Sequence, residues 1–239
     1  FTKGLRRANV VSASPSSLLV LDWDSYDYLR RARHPIAYIL EDYALVQLTD
    51  RLRRVRARIA ELAVGTPVDR VTPTPGFLGR VAKIFGKGGV FPAGRIDGGE
   101  VLASSPLFAG AKPEVLEEVA ARFTGVGARR GQFLCTEGEP GNEMFVIASG
   151  TVDVLVATSE DRVEPVATLG AGDAFGMGCL VQLHQVRMAS CVARDDVRAL
   201  SMTKLAWGEN GARGDLVGSV LRVASIRALV DQLAYANAQ

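Results

Sequence analysis

A β-roll or jelly-roll sandwich with flanking helices, an α+β fold, is what this sequence predicts. The first observation behind it is the stretch from Gln132 to Thr203, where short apolar runs alternate with turns rich in glycine, proline and acidic residues. Many short strands with that punctuation argue a sandwich or roll. The second observation is apolar residues at helical spacing on both sides of it, over 36–62 and 216–233. The third is an internal repeat: R-R-A-N-V-V at Arg6–Val11 lines up with R-M-A-S-C-V at Arg187–Val192, a shift of 192 − 11 = 181 residues.

Bulk properties narrow the classes of function. With 239 residues, 48% of them apolar, the chain has room for one large or two small packed domains. A formal charge of +2 gives no whole-chain pull toward nucleic acid or membrane. Cys135, Cys179 and Cys191 follow no paired spacing, which suits a reducing compartment, so a cytoplasmic location is expected. Two histidines, His34 and His184, assemble no zinc constellation by spacing. No apolar run reaches membrane-spanning length, and Phe1 opens no signal peptide. Since the first residue is not Met, an earlier start of the gene product is expected. No nucleophile–base pair or dinucleotide fingerprint is present, so an enzyme is not expected.

Residues 1–64 read as the tail of a second copy of the domain that ends the chain. At the same shift, Ser16–Leu21 (S-S-L-L-V-L) falls on Val197–Met202 (V-R-A-L-S-M), and Tyr26 falls on Trp207. Leu18–Leu21 is expected to be an apolar strand that needs partners, supplied either by the front half of that copy outside the given residues, the favoured reading, or by another chain. Asp22 or Asp24 is the candidate N-cap of the helix that follows. A break is expected before Pro35. Beyond it Ile36, Ile39, Leu40, Tyr43, Val46, Gln47 and Leu48, then Leu52, Val55, Ile59 and Leu62, form a helical stripe. Arg51, Arg53, Arg54, Arg56 and Arg58 are read as the solvated face of a connecting helix, against the competing reading of an acidic-partner or nucleic-acid surface.

Residues 65–103 are read as a linker. Its first part holds three prolines and is expected to be extended; Phe77–Phe85 has two turns of helical pattern; Gly86–Glu100 reads as mobile loop. Gly86–Gly89 lacks the spacing of a phosphate-binding loop. The second domain is placed at 104–239. A helix begins at Pro113, with Val115, Leu116, Val119 and Phe123 as its core face. Strands are expected at 132–135, 144–148, 151–157, 164–169, 189–193 and 197–203. Glu137 and Glu139 flank Gly138 in a turn; they are read as loop residues rather than an acid–base pair. From Leu205 onward the chain is helical, broken over 208–214 and resumed with Asp215 as its cap.

The most informative stretch is Leu169–Val192. Gly172, Gly176 and Gly178 crowd around Phe175, and a lone arginine, Arg187, precedes the next strand. Glycine admits close approach of a backbone to a ligand. Backbone amides facing a guanidinium suit a phosphate. The competing reading is a tight turn with Arg187 in an ion pair with Asp173.

The flanks favour the first reading. Phe175, Gly176, Leu180, Arg187, Ala189 and Ser190 resemble the phosphate-binding cassette of cyclic-nucleotide-binding domains, the fold of catabolite-activator-type regulators, protein kinase A regulatory subunits and cyclic-nucleotide-gated channels. Gly131, Leu134, Glu137, Gly138, Phe145, Ile147, Gly150 and Val152 are similar to that family's upstream run, and Ser105–Phe108 to its entry. The resemblance covers about the last three-fifths of the chain. It implies tandem copies, the first truncated, and a cyclic nucleotide, cyclic AMP or cyclic GMP, as ligand. The ligand would meet Phe175, Gly176, Met177, Gly178, Cys179, Arg187, Met188 and Ser190, with the phosphate on Arg187 and the 176–179 amides. One departure is Met177, which stands where the family has an acid for the ribose hydroxyl; a thioether accepts hydrogen bonds weakly.

Two functions follow. One is a regulatory module that senses a cyclic nucleotide and relays it through the C-terminal helices. The other is a non-binding copy serving as an assembly scaffold, with its helices contacting other protein subunits. No DNA-reading motif ends the chain.

Overall fold

Alternation along the strands decides the layering. The structure, a computed structural model, describes residues 11–64, 90–157, 163–181 and 186–236. Among these, nine strands form two antiparallel sheets. They are β1 Phe91–Pro92, β2 Thr124–Ala128, β3 Phe133–Cys135, β4 Glu143–Ser149, β5 Val152–Ala157, β6 Val163–Leu169, β7 Ala174–Phe175, β8 Ser190–Ala193 and β9 Val197–Thr203. One sheet runs β1-β2-β9-β4-β7 and the other β3-β8-β5-β6. Phe145 and Ile147 of β4, with Val197 and Ala199 of β9, enter the space between the sheets; there they meet Val152, Val154, Cys191 and Ala193. The alternate residues Met144, Val146, Leu200 and Met202 face outward onto helices. Both faces of these central strands are therefore buried, which is why they read as continuous apolar runs.

The helices over the outer face are α3 Gly98–Ser104, a 3₁₀ turn at Pro106–Phe108, α4 Pro113–Ala120, α6 Lys204–Gly211 and α7 Leu216–Ala236. A single turn, α5 Gly178–Val181, follows β7. Pro113 occupies the first position of α4, and Leu116 and Val119 are buried as expected. Asp215 caps α7, its carboxylate accepting from Gly218 N–H at 3.0 Å.

Helices α1 Trp23–Arg31 and α2 Pro35–Val64 precede this unit and pack on it. Asp22 is the cap of α1, accepting from Ser25 N–H at 2.7 Å. The chain turns between the helices with Arg33 at φ 55°, before Pro35. Arg51, Arg54 and Arg58 are exposed, in line with a solvated face.

Several sequence expectations need correction. Residues 11–21 form no strand, and Leu18, Leu19, Val20 and Leu21 lie exposed because no strand among the described residues pairs with them. On α2 the buried face is Ala37, Glu41, Leu45 and Leu52, whereas Ile36, Ile39, Tyr43 and Val46 are exposed. The stretch 91–100, expected as loop, supplies β1, paired Phe91 to Gly127, and the first turn of α3, whose Leu102 is fully buried. Helix α6 continues through Gly208 to Gly211, and the break falls at 212–215. Strands β1, β2 and β7 were not anticipated; two of them are two residues long, and β2 carries two glycines. The proline-rich part of the linker, the Phe77–Phe85 pattern, residues 86–89 and Arg6–Val10 of the repeat lie outside the described residues.

Candidate functional site: a buried arginine at the β7–α5 turn

β7 pairs with β4 through Phe145–Phe175 and Val146–Ala174, which fixes the turn that follows. The rings of Phe145 and Phe175 stack with centroids 4.9 Å apart. Gly176 then adopts φ +86°, and a Cβ there would sit 2.6 Å from Arg187 Nη1 and 2.8 Å from the Glu143 carbonyl oxygen. Both conformation and space demand glycine at this point. Within the turn, Cys179 N–H donates to the Gly176 carbonyl at 3.2 Å, so that amide is already engaged.

Arg187 reaches the turn from the other side. Its N–H donates to Glu139 O at 2.8 Å, and its carbonyl accepts from Gly138 N–H at 2.9 Å. An isolated bridge joins Pro140 to Val186 beside it. Arg187 is 6% exposed, with Cζ 5.8 Å from the Phe145 ring centroid. Its Nη1 has no hydrogen-bond partner among the described residues. Asp173 is not its partner: that carboxylate accepts from Gly170 N–H at 2.8 Å. A buried cationic donor left without an acceptor is costly, and an anion is the group that removes the cost.

The other expected residues divide into two sets. Phe175 and Cys179 are buried beside Arg187; a Cβ on Gly141 would lie 2.4 Å from Cys179 Cβ and 3.4 Å from Arg187 Cδ, so the 138–141 loop closes over both. Cys179 Sγ contacts Val186 O at 3.7 Å. Burial pushes its thiol pKa up, against the pull of the Arg187 charge. Cys135, aligned with Cys191 across β3 and β8, is held low by its hydrogen bond with Cys191 and, against burial, by the Arg187 charge. Ser190 is fully buried, and its hydroxyl oxygen accepts from Glu137 N–H at 2.9 Å, keeping its own proton to donate.

Met177, Gly178 and Met188 face elsewhere. Met177 is 1% exposed within the core of α3, α4 and α7, beside Leu180, Val217 and Leu221. Met188 packs against the cluster joining α2 to α7, and its Cε lies 3.4 Å from where a Gly178 Cβ would be; Thr49 of α2 is at 3.7 Å from the same point. The turn is thus sandwiched between the sheet and α2, a contact the sequence did not signal. A cavity of about 360 Å³ lies at a distance from the turn, lined by Arg95, Ile96, Glu117 and Phe123 among others; Arg187 does not line it. The guanidinium sits in a closed site.

Residues 126–209 match the model of the cyclic nucleotide-binding domain family. A CRP-like cAMP-activated global transcriptional regulator of Mycobacterium tuberculosis is 29% identical over 105 residues, 44% of this chain and 46% of the regulator. Cyclic nucleotide-gated channel beta-3 of Homo sapiens is 33% identical over 106 residues, 44% of this chain and 13% of the channel. The chain therefore matches less than half the length of either relative. Among solved structures, a cyclic nucleotide-binding domain from Methylobacillus flagellatus KT superposes with a TM-score of 0.52 at 22% identity, covering 58% of this chain and 78% of that one. It shares the fold. No helix among the described residues is long and apolar enough to cross a membrane.

Proposed function

We propose that this chain is the regulatory part of a tandem cyclic-nucleotide-binding-domain protein, and that it senses a cyclic nucleotide, cyclic AMP or cyclic GMP, at Arg187. The observation that carries the reading is the buried Nη1 of Arg187, aimed at Gly176 and without a hydrogen-bond partner among the described residues. The phosphate accepts from the guanidinium and from Ser190, and Phe145 and Phe175 hold the arginine in place. Because the site is closed, binding displaces the 138–141 loop or the β7–α5 turn. The turn touches α2 through Gly178 and Met188, and α6 and α7 through Met177 and Leu180, so its movement passes into the helices. Binding energy then favours one of two helix packings, which is the signal.

Calorimetry with cyclic AMP and cyclic GMP tests this, with Arg187→Ala as the control that abolishes the heat. Binding that survives Arg187→Ala excludes the site.

A second reading is the non-binding scaffold. Met177 favours it, since a fully buried thioether faces the core where the resemblance expects an acid for the sugar. Silence at millimolar nucleotide, with association of the ligand-free chain on a sizing column, supports this reading over the first.

A further inference from the structure

The 181-residue shift holds in three dimensions. Helices α1 and α6 begin at Trp23 and Lys204, and α2 and α7 begin at Pro35 and Leu216; 204 − 23 and 216 − 35 both give 181. The caps correspond as well: Asp22 accepts from Ser25 N–H, and Thr203 from Ala206 N–H. Residues 22–52 are therefore laid out as a second instance of residues 203–233.

One face of the two instances is satisfied and the other is not. Toward each other, Leu45 and its counterpart Ile226 are both fully buried, as are Leu52 and, nearly, Leu233. Away from each other they differ. Leu200, Met202, Val217 and Ala224 are 3%, 0%, 3% and 4% exposed because they pack under the outer face of the roll. Their counterparts Leu19, Leu21, Ile36 and Tyr43 are 105%, 47%, 49% and 64% exposed. Leu18 and Val20, 83% and 87% exposed, correspond to Ala199 and Ser201, both buried in β9 between β2 and β4.

We infer that Leu18–Leu21 and the Ile36–Tyr43 face of α2 are the seat of a second β-roll, built like residues 98–203 and encoded upstream on the same polypeptide. This rests on the tandem arrangement proposed above but not on nucleotide binding. Leu18–Leu21 becomes the central strand of the outer sheet, paired on both edges by antiparallel neighbours, with Leu18 and Val20 between the sheets and Leu19 and Leu21 toward the helices. The order of the second instance, roll first and helices after, places those neighbours ahead of the strand. A second copy of this chain does not supply them, because the corresponding slot in its roll is already filled by its own β9.

Amide hydrogen exchange tests the inference on the 239-residue chain and on the polypeptide extended to its natural start. In the shorter chain the amides of 18–21 exchange at unprotected rates; in the extended one they slow by about 100-fold or more, as paired core strands do. Leu19→Asp and Ile36→Asp leave the midpoint of the shorter chain unchanged and lower that of the extended chain. A gene with no roll-length segment ahead of Phe1 overturns the inference, as does continued fast exchange of 18–21 in the extended chain. Protection that rises with concentration of the shorter chain also overturns it and makes a second copy the occupant. Calorimetric silence toward nucleotides leaves all these exchange results unaltered.

Discussion

Glu41 and Arg222 form an ion pair, Oε2 to Nε at 2.7 Å, in which both side chains are essentially inaccessible to solvent, and the two residues stand 181 positions apart. Under the 181-residue correspondence inferred above they are counterparts, acid in one stretch and base in the other. Glu41 also accepts from Tyr26 Oη at 2.9 Å and from Ser219 Oγ at 3.1 Å. Arg222 donates to the Gly211 carbonyl, and its Cζ lies 4.6 Å from the Tyr38 ring centroid. With Leu45, Leu52, Ile226 and Leu233 beyond it in one cluster, α2 and α7 run side by side in the same direction. Two like helices pairing at equivalent positions meet like residues unless the sequence breaks the symmetry. Glu41 opposite Arg222 breaks it, and so favours this intrachain pairing over association of α7 with another α7, where arginine would face arginine.

Loss of one partner from this pair strands the other. Glu41→Ala is expected to cost about 3–5 kcal/mol of unfolding free energy, because the Arg222 charge stays buried without its carboxylate. Joint replacement, Glu41→Leu with Arg222→Met, recovers most of that loss. Urea unfolding of the two single variants and the double variant gives the coupling directly.

Tyr26 makes stability fall at alkaline pH. Burial first, and then the neighbouring Glu41 charge, raise its pKa well above the ordinary 10.0. The folded protein therefore holds this proton more tightly than the unfolded chain does. Its contribution is complete below about pH 10, the unfolded value, and drains away as pH rises beyond it, by up to ~1.4 kcal/mol per pH unit. Tyr26→Phe should flatten that limb, leaving the smaller parts due to Tyr38 and Cys179, whose pKa values burial also raises. At neutral pH the same change costs about 1.5–3 kcal/mol through the lost hydrogen bond to Glu41.

Gly176→Ala tests the turn. The φ of +86° and the 2.8 Å approach to the Glu143 carbonyl leave no room for a methyl group. Thermal unfolding should show a loss of about 1–3 kcal/mol. Gly110→Ala, also at positive φ but in open space, should lose less.

Arg187→Met removes a buried charge whose Nη1 has no acceptor among the described residues, while keeping apolar contact with Phe145. In the ligand-free protein the thermal midpoint should hold or rise. A fall of several degrees would mean that the guanidinium holds the turn together rather than waiting for an anion.

Much of the roll was legible because its signals are local. Glycine and proline punctuation marked six strands to within two residues, and Pro113, Asp22 and Asp215 announced their helices through capping chemistry. β2 was hidden because two of its five residues are glycines, and β1 and β7 are too short to carry a period. On α2 the apolar residues Ile39 and Tyr43 looked like a core face, yet the buried face holds Glu41. Apolar pattern tells which residues prefer burial, not whether a partner is there to bury them.

By itself the sequence determined the strand punctuation, the Gly176–Arg187 pattern and the 181-residue offset between similar stretches, since each depends on residues read over short windows or against one another. Tertiary structure alone decided that Arg187 is buried with an Nη1 unsatisfied among the described residues, that Met177 belongs to the helix core, and that α2 lies along α7 with Glu41 on Arg222. Those outcomes depend on which surfaces meet across more than a hundred residues. Packing of distant segments and desolvation of the charges between them leave no periodic trace in a chain.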